Sequence, residues 1–306
     1  MESEPAKSKH TLTDVELREV TAKSDLRGLW VLVCQWSLVL GIFTVAALWP
    51  NPLTIIGGII LLGGRQLGFF IITHEAGHRT LFKSAVLNRC VSAWLASPMD
   101  FSNGQAYMRS HLVHLQAMGT EDDPDLANYV AYPIEQSRLR RKLKRDLTGQ
   151  TGWRNLSAKL AQLAKLSTLN DEDRHALLRG VAWHAVMFAV FTVFGVPWLI
   201  LLWFAAQMFA YPAIIRIRQI AEHAAVLDLH SSDVRFNTRT TLSSFWMRLV
   251  LCPHGVNYHV EHHLLASVPI YRLKHLHQLL TAKGYFDSAP VTEGYGRVLR
   301  EVTVPI

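Results

Sequence analysis

Near its C-terminal end the chain reads Asn257-Tyr258-His259-Val260-Glu261-His262-His263. On a helix, histidines at i, i+3 and i+4 leave from one face, so their imidazoles can converge on one point. That is the spacing of a metal site, although a polar surface helix could also carry it. Two more clusters stand upstream, His74-Glu75-Ala76-Gly77-His78 and His111-Leu112-Val113-His114, and His223 follows on the segment Ile220-Ala221-Glu222-His223. The candidate ligands are therefore His74, His78, His111, His114, His223, His259, His262 and His263. A structural zinc is satisfied by about four ligands and prefers thiolates among them, so this set implies two ions. Imidazole suits iron, copper and zinc alike, and ligand type does not rank them.

A ligating imidazole needs an acceptor for its second N–H, which fixes tautomer and ring orientation. Glu75, Glu222, Glu261 and the loop acids Asp122, Asp123 and Asp125 are placed for that role, with local capping beside Pro124 the commoner use of such aspartates. His230, His254, His275 and His277 have no ligand spacing and are expected at the surface or behind the ligands. His184 stands alone in an apolar stretch, where a hydrogen-bonded helix contact is expected.

One shorter motif competes. His74-Glu-Ala-Gly-His78 matches H-E-x-x-H, the helix that holds zinc and a general-base glutamate in metalloproteases. A protease would need those two histidines and one further ligand, leaving the other clusters idle.

These residues must be positioned by a chain of 306 residues that is 50% hydrophobic and only 18% charged, against roughly 25% charged for a soluble domain. Three cysteines, Cys34, Cys90 and Cys252, are too few and too scattered for a disulfide framework. The net charge of +7 would suit nucleic acid in a soluble protein, but in a membrane protein it marks the cytoplasmic face.

Residues 1-28 are polar and are expected as a cytosolic leader. Leu29 to Trp49 is free of charged side chains and long enough to cross about 30 Å of hydrocarbon. Pro50-Asn51-Pro52 turns the chain, and Leu53 to Thr73 returns it, carrying His74 to its end. Arg65 lies in this span about 13 Å from His74 along the axis; it would face a cavity or pair with a buried acid, or else snorkel from a helix that stops at Gly63-Gly64. Thr80 to Pro98 is interrupted by charge and suits an interfacial helix. Residues 29-126 thus form a first transmembrane hairpin with the first two clusters. Residues 127-180 form a basic cytosolic helical region, with Arg138, Arg140, Arg141, Lys142, Lys144 and Arg145 in one run. No aromatic platform accompanies that run, so lipid rather than nucleic acid is expected against it. Residues 181-223 hold a second hairpin broken at Gly195-Val196-Pro197, and 224-306 a cytosolic cap with the third cluster and the C-terminal tail. The expected fold is all-α and integral to the membrane, two helical hairpins making four spans, with both termini cytosolic and a helical cap over a His-rich dimetal site.

The order H-x3-H, H-x2-H, an isolated histidine, then Pro253-His-Gly-Val-Asn-Tyr-His-Val-Glu-His-His263 resembles the membrane fatty acid desaturase and hydroxylase family over roughly residues 50 to 280. The resemblance implies two iron ions, dioxygen as co-substrate, and hydrogen removal from an unactivated C–H bond of a fatty acyl chain or related lipid, bound in a greasy tunnel between the spans. It also implies a separate electron donor, of ferredoxin or cytochrome type. The family's second box is H-x2-H-H, and here its last position is Leu115, which cannot ligate. Water, Gln116 or Asn257 could fill that place. A metal-dependent membrane hydrolase and a non-catalytic lipid-binding member are the competing functions.

Overall fold

The computed structural model describes residues 11–289 and 291–305; residues 1–10 of the expected leader lie outside them. Helix α1 (Asp14–Thr21) opens with a capping box, in which Thr13 accepts from the Glu16 N–H and Glu16 accepts from the Thr13 N–H. Helix α2 (Asp25–Leu48) starts at the cap Ser24, four residues before the expected span, and α3 (Pro52–Gly77) starts at the cap Asn51 with Pro52 at its first turn. Together they form the first hairpin.

Arg65 fits neither expectation. The helix runs straight through Gly63-Gly64, because those glycines serve close packing: a Cβ on Gly63 would stand 2.8 Å from the Ala210 Cβ, and one on Gly64 2.5 Å from the Leu249 carbonyl oxygen. Arg65 is buried and donates to the Gln35 Oε1 at 3.3 Å and the Leu249 carbonyl at 2.6 Å. Gln35 and backbone oxygens, rather than an acid or a cavity, satisfy the charge at that depth.

Beyond α3 the chain breaks into α4 (Ala85–Cys90), continued by a π-helical stretch Val91–Ala96, then α5 (Gly104–Ala117) and the short α6 (Leu126–Tyr129). The basic run forms α7 (Gln136–Leu147), followed by α8 (Gln150–Ala164). Helix α9 (Asp171–Val193) begins well before the expected boundary at residue 180, since Asn170 caps it and Asp171, Glu172 and Asp173 oppose the positive end of its dipole. Helix α10 (Leu199–Ala205) passes through a π-helical turn at Ala206–Ala210 into α11 (Tyr211–His223). By length and composition four segments can cross a membrane: Asp25–Leu48, Pro52–Gly77, Asp171–Val193 and Leu199–His223. Helix α3 is the innermost, 61% buried over its apolar window against 28% for α2 and α9, and Leu40, Leu53, Phe188 and Val193 point their side chains outward, as lipid-facing residues must.

The cap is built from α12 (Val234–Asn237), α13 (Phe245–Val250), α14 (His259–Leu264), α15 (Ile270–Ala282) and α16 (Tyr295–Glu301). Among the described residues, sheet is confined to two parallel two-residue pairs, β1 (Ile134–Glu135) with β4 (Thr303–Val304), and β2 (Thr241–Leu242) with β3 (Thr292–Glu293). Leu273, Leu276 and Leu280 of α15 and Val298 of α16 are buried in the same core as Leu67 and Ile71 of α3. That shared core fixes the cap against the ends of the spans. Lys283, just past the end of α15, meets Glu16 at 2.6 Å, and Arg272 of α15 donates to the Ala22 carbonyl at 2.8 Å, strapping α1 across it.

Candidate metal centre

Four helices bring the histidine clusters together at one end of the bundle. Helix α3 carries His74 in its last turn and ends on His78; α5, capped by Asn103, carries His111 and His114; α11 ends on His223; and α14 carries His259, His262 and His263. Their ligand atoms fall into two neighbouring groups. His74, His78, His111 and His262 lie within 4.8 Å of one another, as do His114, His223 and His263. His259 joins the second group, its Nε2 standing 3.0 Å from His223 Nε2 and 3.1 Å from His263 Nε2. Helices α5 and α14 each serve both groups and so fix their relative position.

The donor chemistry fits metal. His74 Nδ1 faces Glu75 Oε1 at 3.1 Å, His114 Nδ1 faces Asp123 Oδ1 at 2.8 Å, His223 Nδ1 faces the Asn237 carbonyl at 3.4 Å, and His259 Nδ1 stands 3.5 Å from Glu222 Oε1. A neutral imidazole that donates its Nδ1–H presents a lone pair at Nε2. Those lone pairs face each other: His74 Nε2 is 2.9 Å from His111 Nε2, which is 3.5 Å from His262 Nε2. Protons do not relieve the repulsion, because burial, and then neighbouring imidazoles, push His111, His259, His262 and His263 well below the usual histidine value. Burial also lowers His78, whose Nε2 is enclosed with no hydrogen-bond partner among the described residues. A cation is the group such an arrangement accepts. With metal–nitrogen bonds of about 2.0–2.1 Å, adjacent ligand nitrogens stand about 2.9–3.4 Å apart, which is the spacing the imidazoles already have.

The acids divide. Glu75, Glu222 and Asp123 lie against cluster imidazoles as expected, and Tyr129 donates to Asp123 from the far side. Burial raises the Asp123 carboxyl, but the bonds from His114, Tyr129 and the Asp125 N–H outweigh it and hold the group below the ordinary range. Asp125 is farther from His114, at 3.9 Å, and accepts instead from Asn128. Asp122 is exposed, its N–H donating to Thr120, so it does not reach the site. Glu261 also departs from expectation: its two oxygens accept from His277 Nδ1 and from Thr240 Oγ1, each at 2.5 Å. A residue between His259 and His262 on one helix faces away from both, and Glu261 ties α14 to α15 instead. Asn257 donates to the Thr241 carbonyl at 3.0 Å while its Oδ1 is buried without a partner among the described residues. Leu115 is half-buried, and each group of imidazoles contains four without it.

The other histidines singled out in the sequence make ordinary contacts. His184 donates to the Gly180 carbonyl at 2.8 Å and stacks on Phe101; His230 bonds the Gly119 carbonyl; His254 meets Gln35, and His275 meets Glu19.

The cavity that touches the histidines holds about 270 Å³ and reaches His111, His114, His223 and His259. It departs from the greasy tunnel expected by carrying several polar side chains, although most of its lining surface is apolar. Tyr107 and Tyr129, Asp125 and Asn128, and Arg218, Gln219 and Glu222 line it, with Phe70 and Ile215 as its apolar walls. An apolar slot of about 140 Å³ does exist, between Trp36 and Phe43 of α2 and Trp183 and Phe191 of α9, but none of the clustered histidines lines it. Arg218 and Tyr107 were missed in the sequence. Their spacing could have flagged both, since Arg218 lies four residues before Glu222 and Tyr107 four before His111, on whose ring it stacks at 14°.

Comparison with known proteins settles the lineage. The model of the family described as fatty acid desaturase matches residues 49–295. The chain belongs to the fatty acid desaturase family. Among relatives of this desaturase-family chain, a dihydrorhizobitoxine desaturase of Bradyrhizobium elkanii is 26% identical over 241 residues, covering 74% of this chain and 66% of the relative. A beta-carotene ketolase of Paracoccus sp. is 27% identical over 239 residues, covering 75% of this chain and 84% of the relative. The chain thus spans just under two thirds of the first relative's length. Within the family frame the four apolar helices are those of a membrane protein, and the histidine groups are positions that could hold metal.

Proposed function

We propose that this protein is an oxygen-dependent membrane desaturase or hydroxylase that acts on an acyl chain or related lipid. The observation that carries the reading is the pair of imidazole groups joined through α5 and α14, each with Nε2 lone pairs turned inward. His74, His78, His111 and His262 would hold one ion and His114, His223, His259 and His263 the other. Two irons there would let dioxygen, two electrons and two protons remove two hydrogens from adjacent carbons with release of two waters, or insert one oxygen with release of one.

The chain's own residues do the rest. Glu75, Asp123 and Glu222 hold the tautomers that aim Nε2 inward. Tyr129 holds Asp123, and Thr80 together with the Ile270 N–H holds Glu75. The cavity beside His111 and His259 admits one substrate bond to the centre, and burial of the histidines keeps bulk water from it. Asn257, with its unpaired oxygen, is the additional donor we assign in place of the family's missing second-box histidine. Electrons come from a separate protein of ferredoxin or cytochrome type. We assign both termini to the side of the centre, which four spans would support, and the basic α7, tied to α11 through Asp146 and Arg216, supports assigning that side to the cytosol.

A protease reading is disfavoured by Glu75, whose oxygens are already engaged by His74, by Thr80 at 2.9 Å and by the Ile270 N–H at 3.0 Å. A general base needs a free oxygen toward the metal-bound water. The test is metal analysis of the purified protein with lipid mass spectrometry of cells that express it or its His262→Ala variant. Two irons per chain and a new unsaturated or hydroxylated lipid that disappears in the variant are expected; one zinc with peptide cleavage would end the proposal.

A further inference from the structure

The cavity beside the centre is lined by a buried cation whose outer edge is unfilled. Arg218 is 8% exposed and packs its guanidinium over the Phe70 ring at 5.8 Å. Its Nε lies 2.8 Å from Glu222 Oε1, an ion pair by distance, yet it is out of line for a hydrogen bond. That Nε edge is thus taken up by Glu222, while no hydrogen bond from the two terminal nitrogens is found among the described residues, and the side chain lines the cavity. A guanidinium offers a planar fork of donors, and burying it with that fork unfilled is costly unless a matching anion arrives.

The cavity's size and lining point the same way. Its volume of about 270 Å³ falls below the roughly 300 Å³ at which pockets for drug-sized ligands begin. An unsubstituted hydrocarbon chain threaded through it would strip water from Asp125, Asn128, Gln219 and Arg218 with no replacement bonds, which is costly for each group left unpaired. The same Glu222 oxygen that meets Arg218 stands 3.5 Å from His259 Nδ1, so one carboxylate oxygen separates the guanidinium from an imidazole of the centre.

We infer that this cavity binds a substrate through a carboxylate, gripped by the free edge of Arg218, and that the oxidised carbon lies only a few bonds from that carboxylate. The inference rests on the oxidative reading above and narrows its substrate to an acid attacked near its polar end. A planar carboxylate matches the guanidinium fork in two parallel hydrogen bonds, which a lysine in its place could not make.

The test uses the full-length protein in detergent with sodium hexanoate, hexan-1-ol and palmitate as probes, and reads binding by calorimetry beside iron content. Wild type should bind hexanoate at least about tenfold more tightly than hexan-1-ol. Arg218→Gln should abolish that difference, and Arg218→Lys should restore only part of it. Ile215→Phe, which fills the cavity and keeps every charge, should weaken hexanoate with iron content unchanged. Equal binding of acid and alcohol, or hexanoate binding indifferent to both Arg218→Gln and Ile215→Phe, would overturn the inference. If Arg218→Gln loses iron, the acid-to-alcohol ratio in wild type and the Ile215→Phe result decide. Binding needs no turnover, so a protein that consumes no oxygen sinks the oxidative reading alone, whereas one that oxidises palmitate far from its carboxylate sinks this inference alone.

Discussion

Asp123 accepts the His114 Nδ1–H at 2.8 Å, and both side chains are buried. The carboxylate therefore decides which nitrogen of His114 turns toward His223 and His263. Asp123→Asn can present its amide the wrong way round and cannot supply the charge, so affinity for the ion in that group should fall about 10–100-fold. Chelator competition followed by metal analysis checks it, and an unchanged affinity would show that the carboxylate does not orient the ligand. Tyr129→Phe, which leaves the carboxylate in place, should cost less.

The two imidazole groups should be separable by mutation. His262→Ala removes a donor from the first group and His263→Ala from the second, although the residues adjoin on α14. Each variant should lose one ion preferentially and keep the other. Metal-to-protein ratios near one in both, against two in wild type, are expected; loss of both ions in either variant would mean that the groups do not load independently.

Leu115→His tests the departure in the second box. Because each group already contains four imidazoles without position 115, the substitution should leave metal content intact or raise it. A large loss of iron would show that the added ring disturbs the packing of α5.

Inside the bundle, Arg65→Met removes the donors that serve Gln35 and the Leu249 carbonyl. An unpaired carbonyl at that depth costs about 1–3 kcal/mol, so the melting temperature in detergent should fall while metal stoichiometry holds. Stability equal to wild type would mean that water reaches this site.

Acid should release the N-terminal strap. A hydrogen bond from Lys283, followed by those from Thr13, holds the Glu16 carboxyl down at about 2, against an ordinary 4.5. A carboxyl lowered by folding stabilises fully above its ordinary value, and that contribution fades as pH drops from there toward about 2. Hydrogen exchange over α1, corrected for intrinsic rate, should quicken across that window. Glu16→Gln should show the fast exchange already at neutral pH; identical protection in both proteins would relieve Glu16 of the role.

Much of this architecture is written in local patterns. Charge-free stretches long enough for hydrocarbon announced the spans, and histidines at helical spacing announced their own convergence, because each signal depends only on residues within a turn or two. What stayed hidden depends on the partner across the fold. Arg65 read as anomalous until Gln35 and the α13 carbonyls stood beside it. Glu261 lies between ligands in sequence yet turns its back on them, since the helix that aligns His259 and His262 rotates it toward His277. The early start of α9 came from a cap and three acids that composition counts as part of a basic region. The polar groups of the cavity wall were equally invisible, being assembled from α5, α6, α11 and α14 at once.

The order of the ligands along the chain has a consequence for biogenesis. His74 through His223 are synthesised first and can reach the bilayer with their spans, but one imidazole of the first group and two of the second wait on α14, whose own place depends on α15 and α16 closing over it. A metal held by these groups would therefore be captured as the last act of assembly rather than as its seed, and a ribosome that stalls before the cap leaves inserted helices whose inward nitrogens lack their α14 partners.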